Sequence, residues 1–241
     1  MRMIAGADGC PGGWVVAFAP EQALGEAQTA VFGTLEEIDA AIPGLAVLSL
    51  DMPIGLPDRV GPGGRGPETA LRPHLGGRQS SVFSVPSRAA VYAGDYAEAC
   101  AVALATSEPP RKVSKQCFHL FPKIRAVDEA LRRDPALAAR VHETHPEAAF
   151  MMMKGGPLAE PKKVKSSPYP PGLAERRRLL VAAGLPSGLL EARPPRGAAF
   201  DDLLDACACL VTAGRILRGE ARRFPADPAR DAHGLPVAIW A

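Results

Sequence analysis

Ala46-Val47-Leu48-Ser49-Leu50 is apolar apart from one serine and shows no inside-outside alternation. A strand of that composition is buried on both faces, which requires a layered α/β architecture with cover on each side of a sheet. The run leads directly into Asp51-Met52-Pro53-Ile54-Gly55-Leu56-Pro57. The two prolines forbid further ladder pairing, so Asp51 stands at the C-terminal edge of the strand, where α/β sheets place their ligands. An aspartate before a proline-rich loop is also an ordinary turn residue, and taken alone Asp51 supports either reading equally.

The N-terminus repeats the pattern. Ile4 to Ala7 is apolar and ends on Asp8, Gly9 to Gly13 is a glycine- and proline-bearing turn, and Trp14 to Phe18 is apolar again. This reads as a β-hairpin with a carboxylate where its first strand stops. The glycines at 9, 12 and 13 allow the backbone to approach whatever Asp8 faces. Thr29 to Phe32 follows as a third strand, and Leu35 to Ile42 carries apolar residues at helical spacing behind a Thr34 cap. The order up to Asp51 is therefore β-β-β-α-β.

With 241 residues, 47% of them hydrophobic, the chain can build a sizeable core. No apolar run approaches the length of a membrane span and no signal peptide precedes the first strand, so a cytoplasmic protein is expected. Five scattered cysteines without a CxxC pair argue for reduced packing residues rather than disulfides or zinc. A net charge of +2 is too mild to identify a nucleic-acid binder by itself.

The distribution of charge says more. Residues 58–90 form a long Gly/Pro/Arg segment containing Arg59, Arg65, Arg72, Arg78 and Arg88, with Asp58 and Glu68 as its only acids. Within it, glycines, Arg78, Ser80 and Ser81 make a mixture suited to phosphate contact, although a solvated loop explains any single arginine as well. A helix covers Asp95 to Ala105. Arg111 to Arg125 then holds five basic residues and no acid, interleaved with aromatics, and Lys115 and Lys123 are its candidate nucleic-acid contacts.

His142-Glu143-Thr144-His145 invites comparison with a zinc helix, but the histidines are three apart and Pro146 interrupts any helix there. A short strand through Val141 that ends at Glu143 fits better, with His145 and Glu147 as supporting or turn residues. Phe150 to Lys165 passes from methionine-rich to lysine-rich, Ser166 to Gly172 is loop by composition, and Leu173 to Ala183 reads as a helix. Phe200 to Ala213 is a helix apolar almost all round, hence buried against the sheet. Asp201 is read as its N-cap. Asp202 and Asp205 share one face, and Asp205 lies inside the buried stretch, where it needs a cationic partner. Either a metal ion, Arg215 or a lysine elsewhere would serve. Gly234 to Trp240 closes the chain as a last edge strand.

Asp8, Asp51, Glu143, Asp202 and Asp205 thus stand at strand ends and in the first turns of one buried helix. Were they to converge, a hard dication with oxygen ligands, Mg²⁺ or Mn²⁺, would neutralise them. Two such ions would support phosphodiester hydrolysis, with the basic loops holding the nucleic-acid backbone.

The β-β-β-α-β order, the acids on its first and fourth strands and the Asp-x-x-Asp-Ala at the head of a late helix resemble the RNase H-like superfamily, its RuvC-type branch in particular. More narrowly, Asp8-Gly9-Cys10-Pro11-Gly12-Gly13-Trp14, Asp51-Met52-Pro53-Ile54-Gly55-Leu56, Arg78-Gln79-Ser80-Ser81-Val82-Phe83, Glu143-Thr144-His145-Pro146-Glu147 and Asp202-Leu203-Leu204-Asp205-Ala206 are similar to the predicted RNase H-like nuclease family, domain of unknown function 429. The resemblance implies an α/β fold with an RNase H-like mixed sheet in the order β-β-β-α-β-α-β-α. Helices lie on both faces, and residues 1–241 form a single domain with an elaborating insertion at about 58–195. It implies a metal-dependent nuclease acting on DNA or RNA, with a homodimer as one compatible assembly. Asp51 stands where better-known nucleases more usually carry the longer Glu. Two alternatives come from other classes: a non-catalytic nucleic-acid or protein-binding module on the same fold, and an actin-like or sugar-kinase-type phosphotransferase. The latter calls for a second β-β-β-α-β half.

Overall fold

The computed structural model describes residues 1–165 and 167–241. Strands β1 (Met3–Cys10) and β2 (Gly13–Pro20) form the N-terminal hairpin, followed by β3 (Gln28–Phe32), helix α1 (Leu35–Ala41) and β4 (Leu45–Asp51). The connection to β5 (Val141–Glu143) carries α2 (Gly66–Leu71), α3 (Arg88–Val91), α4 (Tyr96–Thr106), α5 (Lys115–Arg133) and α6 (Pro135–Ala138). Beyond β5 lie α7 (Pro146–Lys154), a small hairpin of β6 (Lys163–Val164) and β7 (Ser167–Pro168), then α8 (Pro170–Ala182), α9 (Ser187–Glu191) and α10 (Phe200–Leu217). A two-stranded ribbon of β8 (Arg223–Phe224) and β9 (Ile239–Trp240) ends the chain.

The main sheet has the order β3-β2-β1-β4-β5. The hairpin strands and β3 pair antiparallel, whereas β1 with β4 and β4 with β5 pair parallel. It is a mixed sheet flanked by helices. The two-residue period of a strand divides its side chains between two cores. Ala5, Ala7, Trp14, Val16, Leu48 and Leu50 face α1, α4 and α5, and Ile4, Val15, Ala17 and Val47 face α7, α8 and α10.

Helix α10 lies directly on β1, and one glycine makes that approach. A Cβ at Gly6 would stand 2.0 Å from the Leu210 nitrogen and 2.3 Å from the Ala206 carbonyl oxygen. Real Cβ atoms do not approach backbone that closely, so only glycine lets strand and helix touch main chain to main chain.

The structure departs from expectation in two places. Residues 58–90 contain α2, α3 and two short 3₁₀ turns rather than irregular loop throughout. At the C-terminus only Ile239–Trp240 is strand, and it pairs with β8 while meeting the main sheet through a single bridge between Thr144 and Trp240. The other sheets among the described residues are two-stranded, so the second half required by a phosphotransferase of the actin-like kind does not occur among them. No helix among the described residues is long and apolar enough to cross a membrane.

Candidate metal centre

Asp8 and Asp51 are register partners across the parallel pair β1 and β4, so their side chains leave the same face of the sheet side by side. That is the face α10 covers. Gly6, two residues before Asp8, brings the helix down against β1, and Asp205 on its first turns reaches the same point. The three side chains each offer a carboxylate oxygen within 4.8 Å of the others. Asp8 is 9% exposed and Asp205 only 2%. The Gly9 backbone N–H donates to Asp8 Oδ1 at 2.7 Å, whereas Asp205 Oδ1 is buried without a partner.

Burial is the leading cause of the raised pKa of Asp8, and Asp51 and Asp205 push it further. Asp51 rises to about 8, through burial first and the Asp205 charge second. Asp205 also rises, because burial outweighs its contact with Lys162. Three acids that resist ionising together need positive charge among them. Part of it comes from Lys162, whose ammonium is paired with Asp205 Oδ2. Burial works against the charge on Lys162, but Asp205, Asp8 and Asp51 prevail and hold its pKa above the ordinary lysine value. The remaining acceptor capacity is oxygen-only, buried and incomplete, which suits a hard divalent cation. Cys209, one turn beyond Asp205, is fully buried, and burial together with the neighbouring carboxylates raises the pKa of its thiol.

Two of the five predicted acids do not join this cluster. Glu143 is the register partner of Leu50, one residue short of Asp51, and so leaves the opposite face of the sheet. There both its oxygens are taken: Arg65 donates at 2.6 and 3.1 Å and the Ile54 N–H at 2.7 Å. Burial pushes Glu143 up to about 7 against the pull of that guanidinium. Asp202 accepts the Ala199 N–H at 2.9 Å and closes the first turn of α10. The helix starts at Phe200 behind Ala199, so Asp202 takes the capping role assigned by sequence to Asp201, and Asp201 instead pairs with Lys163 Nζ at 2.7 Å.

The acids sit in a cavity of about 400 Å³. Arg78, Ser80, Ser81, His145, Glu147, Lys162 and Lys163 are among the residues that line it. His145 Nε2 lies 3.3 Å from the Ser81 carbonyl, and burial lowers its pKa to about 4, so the ring is neutral. Glu147 is paired with the fully buried Arg176 through one oxygen, leaving Oε2 without a partner. Lys115 is exposed at the start of α5 and outside the cavity lining. Lys123 donates to the Gly13 carbonyl at 2.6 Å and sits 4.8 Å over the Trp14 ring, which ties α5 to the hairpin. Arg65 and Lys162 were missed as site residues. Arg65 was legible only as one of five loop arginines, and Lys162 only as part of a lysine-rich stretch.

The fold and site define a mixed α/β protein with a carboxylate cluster at the C-terminal edge of its central parallel strands. The chain belongs to the family described as protein of unknown function DUF429, whose model matches residues 6–230. No curated protein and no solved structure matches the chain.

Proposed function

We propose that this protein is a divalent-metal-dependent nuclease on an RNase H-like fold, hydrolysing phosphodiester bonds of nucleic acid. The single observation that carries the reading is the meeting of Asp8, Asp51 and Asp205 oxygens within 4.8 Å. The unpaired, buried Asp205 Oδ1 adds to it. The fold assignment is supported by the strand order β3-β2-β1-β4-β5, with only β2 antiparallel to its neighbours, and by a late helix crossing β1 and β4.

Asp8, Asp51 and Asp205 would hold Mg²⁺ or Mn²⁺. Bound there, the ion supplies Lewis acidity at a phosphoryl oxygen and a water of lowered pKa. Arg78 and Ser80 orient the phosphate from the cavity lining, the guanidinium by charge and the hydroxyl by a hydrogen bond, while Ser81 Oγ donates to the Arg78 carbonyl at 2.8 Å and holds that turn. Neutral His145 lines the cavity without adding charge to it. A cavity of about 400 Å³ lies low in the range of small-molecule pockets, room for about one nucleotide unit at the acids.

The test is cleavage of end-labelled single- and double-stranded DNA and RNA with Mn²⁺, comparing the native protein with Asp8→Asn. Metal-dependent cleavage lost in a folded Asp8→Asn protein is the expected result. An unchanged rate, or no cleavage of any substrate by the native protein, would remove the nuclease reading in favour of a binding module.

A further inference from the structure

Lys162 lies at the one point in the cavity where its ammonium meets the acids. It is paired with Asp205 Oδ2, stands 3.8 Å from Asp201 Oδ2, and is drawn on by the charges of Asp8 and Asp51. Its neighbour Lys163 points elsewhere, to Asp201 at 2.7 Å.

The backbone that carries Lys162 is firmly held. The Ala159 and Glu160 N–H groups donate to the buried Glu175 carboxylate at 3.2 and 3.0 Å, and Arg176 donates to the Glu160 carbonyl at 3.1 Å. A Cβ at Gly172 would stand 1.9 Å from the Pro161 carbonyl oxygen, so α8 and this segment meet backbone to backbone. The Lys162 side chain, by contrast, is 32% exposed and reaches the acids from the cavity rim. It can leave Asp205 by changing rotamers, with no movement of the fold.

We propose that Lys162 is the resident counter-ion of the carboxylate cluster and that a divalent cation binds by displacing its ammonium from Asp205. The proposal rests on the metal reading above. It gives the site two exclusive cations, one built in and one from solution. Either cation offsets part of the acids' charge, one positive charge from the lysine or two from the ion, and so eases the close approach of three buried carboxylates. The cost is affinity: a divalent ion sees only the fraction of molecules in which the lysine has swung away.

The experiment is calorimetric titration of the full chain with MnCl₂ at constant ionic strength, using the native protein, Lys162→Met, Lys162→Gln and Lys163→Met. Both Lys162 variants are expected to bind Mn²⁺ about tenfold or more tightly than the native protein, as for a site occupied at least nine-tenths of the time by its own lysine. Lys163→Met removes the same charge from the same segment without emptying the seat, and a clearly smaller gain is expected. Equal or weaker binding by the Lys162 variants overturns the exchange and leaves the metal reading intact. So does an equal gain in Lys163→Met, which would assign the effect to net charge. No binding to any of the four proteins at millimolar Mn²⁺ overturns both.

Discussion

Gly6 on β1 and Leu210 on α10 meet through their backbones, with room for no side-chain atom between them. The contact sets the height of α10 above the sheet, and with it the distance at which Asp205 meets Asp8 and Asp51.

Gly6→Ala therefore forces helix and strand apart. Overpacking of this kind costs about 1–3 kcal/mol, and more where the obstruction is backbone, so at least about 3 kcal/mol is expected here. Urea denaturation measures it. Mn²⁺ affinity should fall together with stability, because the same displacement lifts Asp205 away from its partners. A variant of native stability would show that α10 tolerates a wider gap.

Glu143 separates stability from metal binding. Truncation by Glu143→Ala leaves the Arg65 guanidinium, itself 2% exposed, with Glu68 as its remaining acidic partner among the described residues. Breaking a buried ion pair from one side costs about 3–5 kcal/mol, read from chemical denaturation. Glu143→Gln, which keeps the shape and one acceptor oxygen, should fold and bind Mn²⁺ with native affinity. Loss of Mn²⁺ binding in that variant would return Glu143 to the ligand set.

Asp202 is a helix cap by its contacts. Asp202→Ala should lose about 1 kcal/mol of stability in thermal or urea unfolding. Its Mn²⁺ titration should match the native one, in contrast with Asp8→Asn. A joint loss of both would place Asp202 among the ligands after all.

Acid stability should depend on two histidines. Burial lowers His142 and His145 to about 4 from an ordinary value of 6.5. Between these values the unfolded chain takes up protons that the folded chain refuses. Their contribution is present above about pH 6.5 and is lost as pH falls toward 4. His142→Phe keeps the ring packed on Trp240, 5.1 Å away, and sacrifices no hydrogen bond at the unpartnered Nδ1. Melting temperatures from pH 7 to 4 should fall less steeply in that variant. An identical slope would exclude His142 as a contributor.

Much of this was legible in the residues. The unbroken apolar run before Asp51 marked a covered strand, glycine and proline marked where strands ended, and the all-round apolar character of residues 203–213 marked a helix laid on the sheet. Those are local signals, and they located Asp8, Asp51 and Asp205. Glu143 shows where they stop. Its position at a strand end was correct, but register decides which face a side chain takes, and a shift of one residue sends it to the other side. Its partner Arg65 lies 78 residues earlier, too far for any periodicity to link them. The capping role passed from Asp201 to Asp202 for a similar reason, since the observed N-cap, Ala199, lies two residues before the one read from the sequence. Gly6 looked like any glycine in a strand, because the helix it admits is two hundred residues away.

The three clustered acids ride on β1, β4 and α10, elements locked by ladder pairing and by a backbone contact. The residues that wall the cavity, among them Arg78, Ser80, Ser81, His145 and Lys162, come from the two long connections on either side of β5. Under the proposed nuclease function, chemistry and recognition would thus be entrusted to separate parts of the chain. Insertions or exchanges in the connections can change what enters the cavity while the spacing of the carboxylates stays as the sheet dictates, so a scaffold of this kind can acquire new substrates without rebuilding its reactive centre.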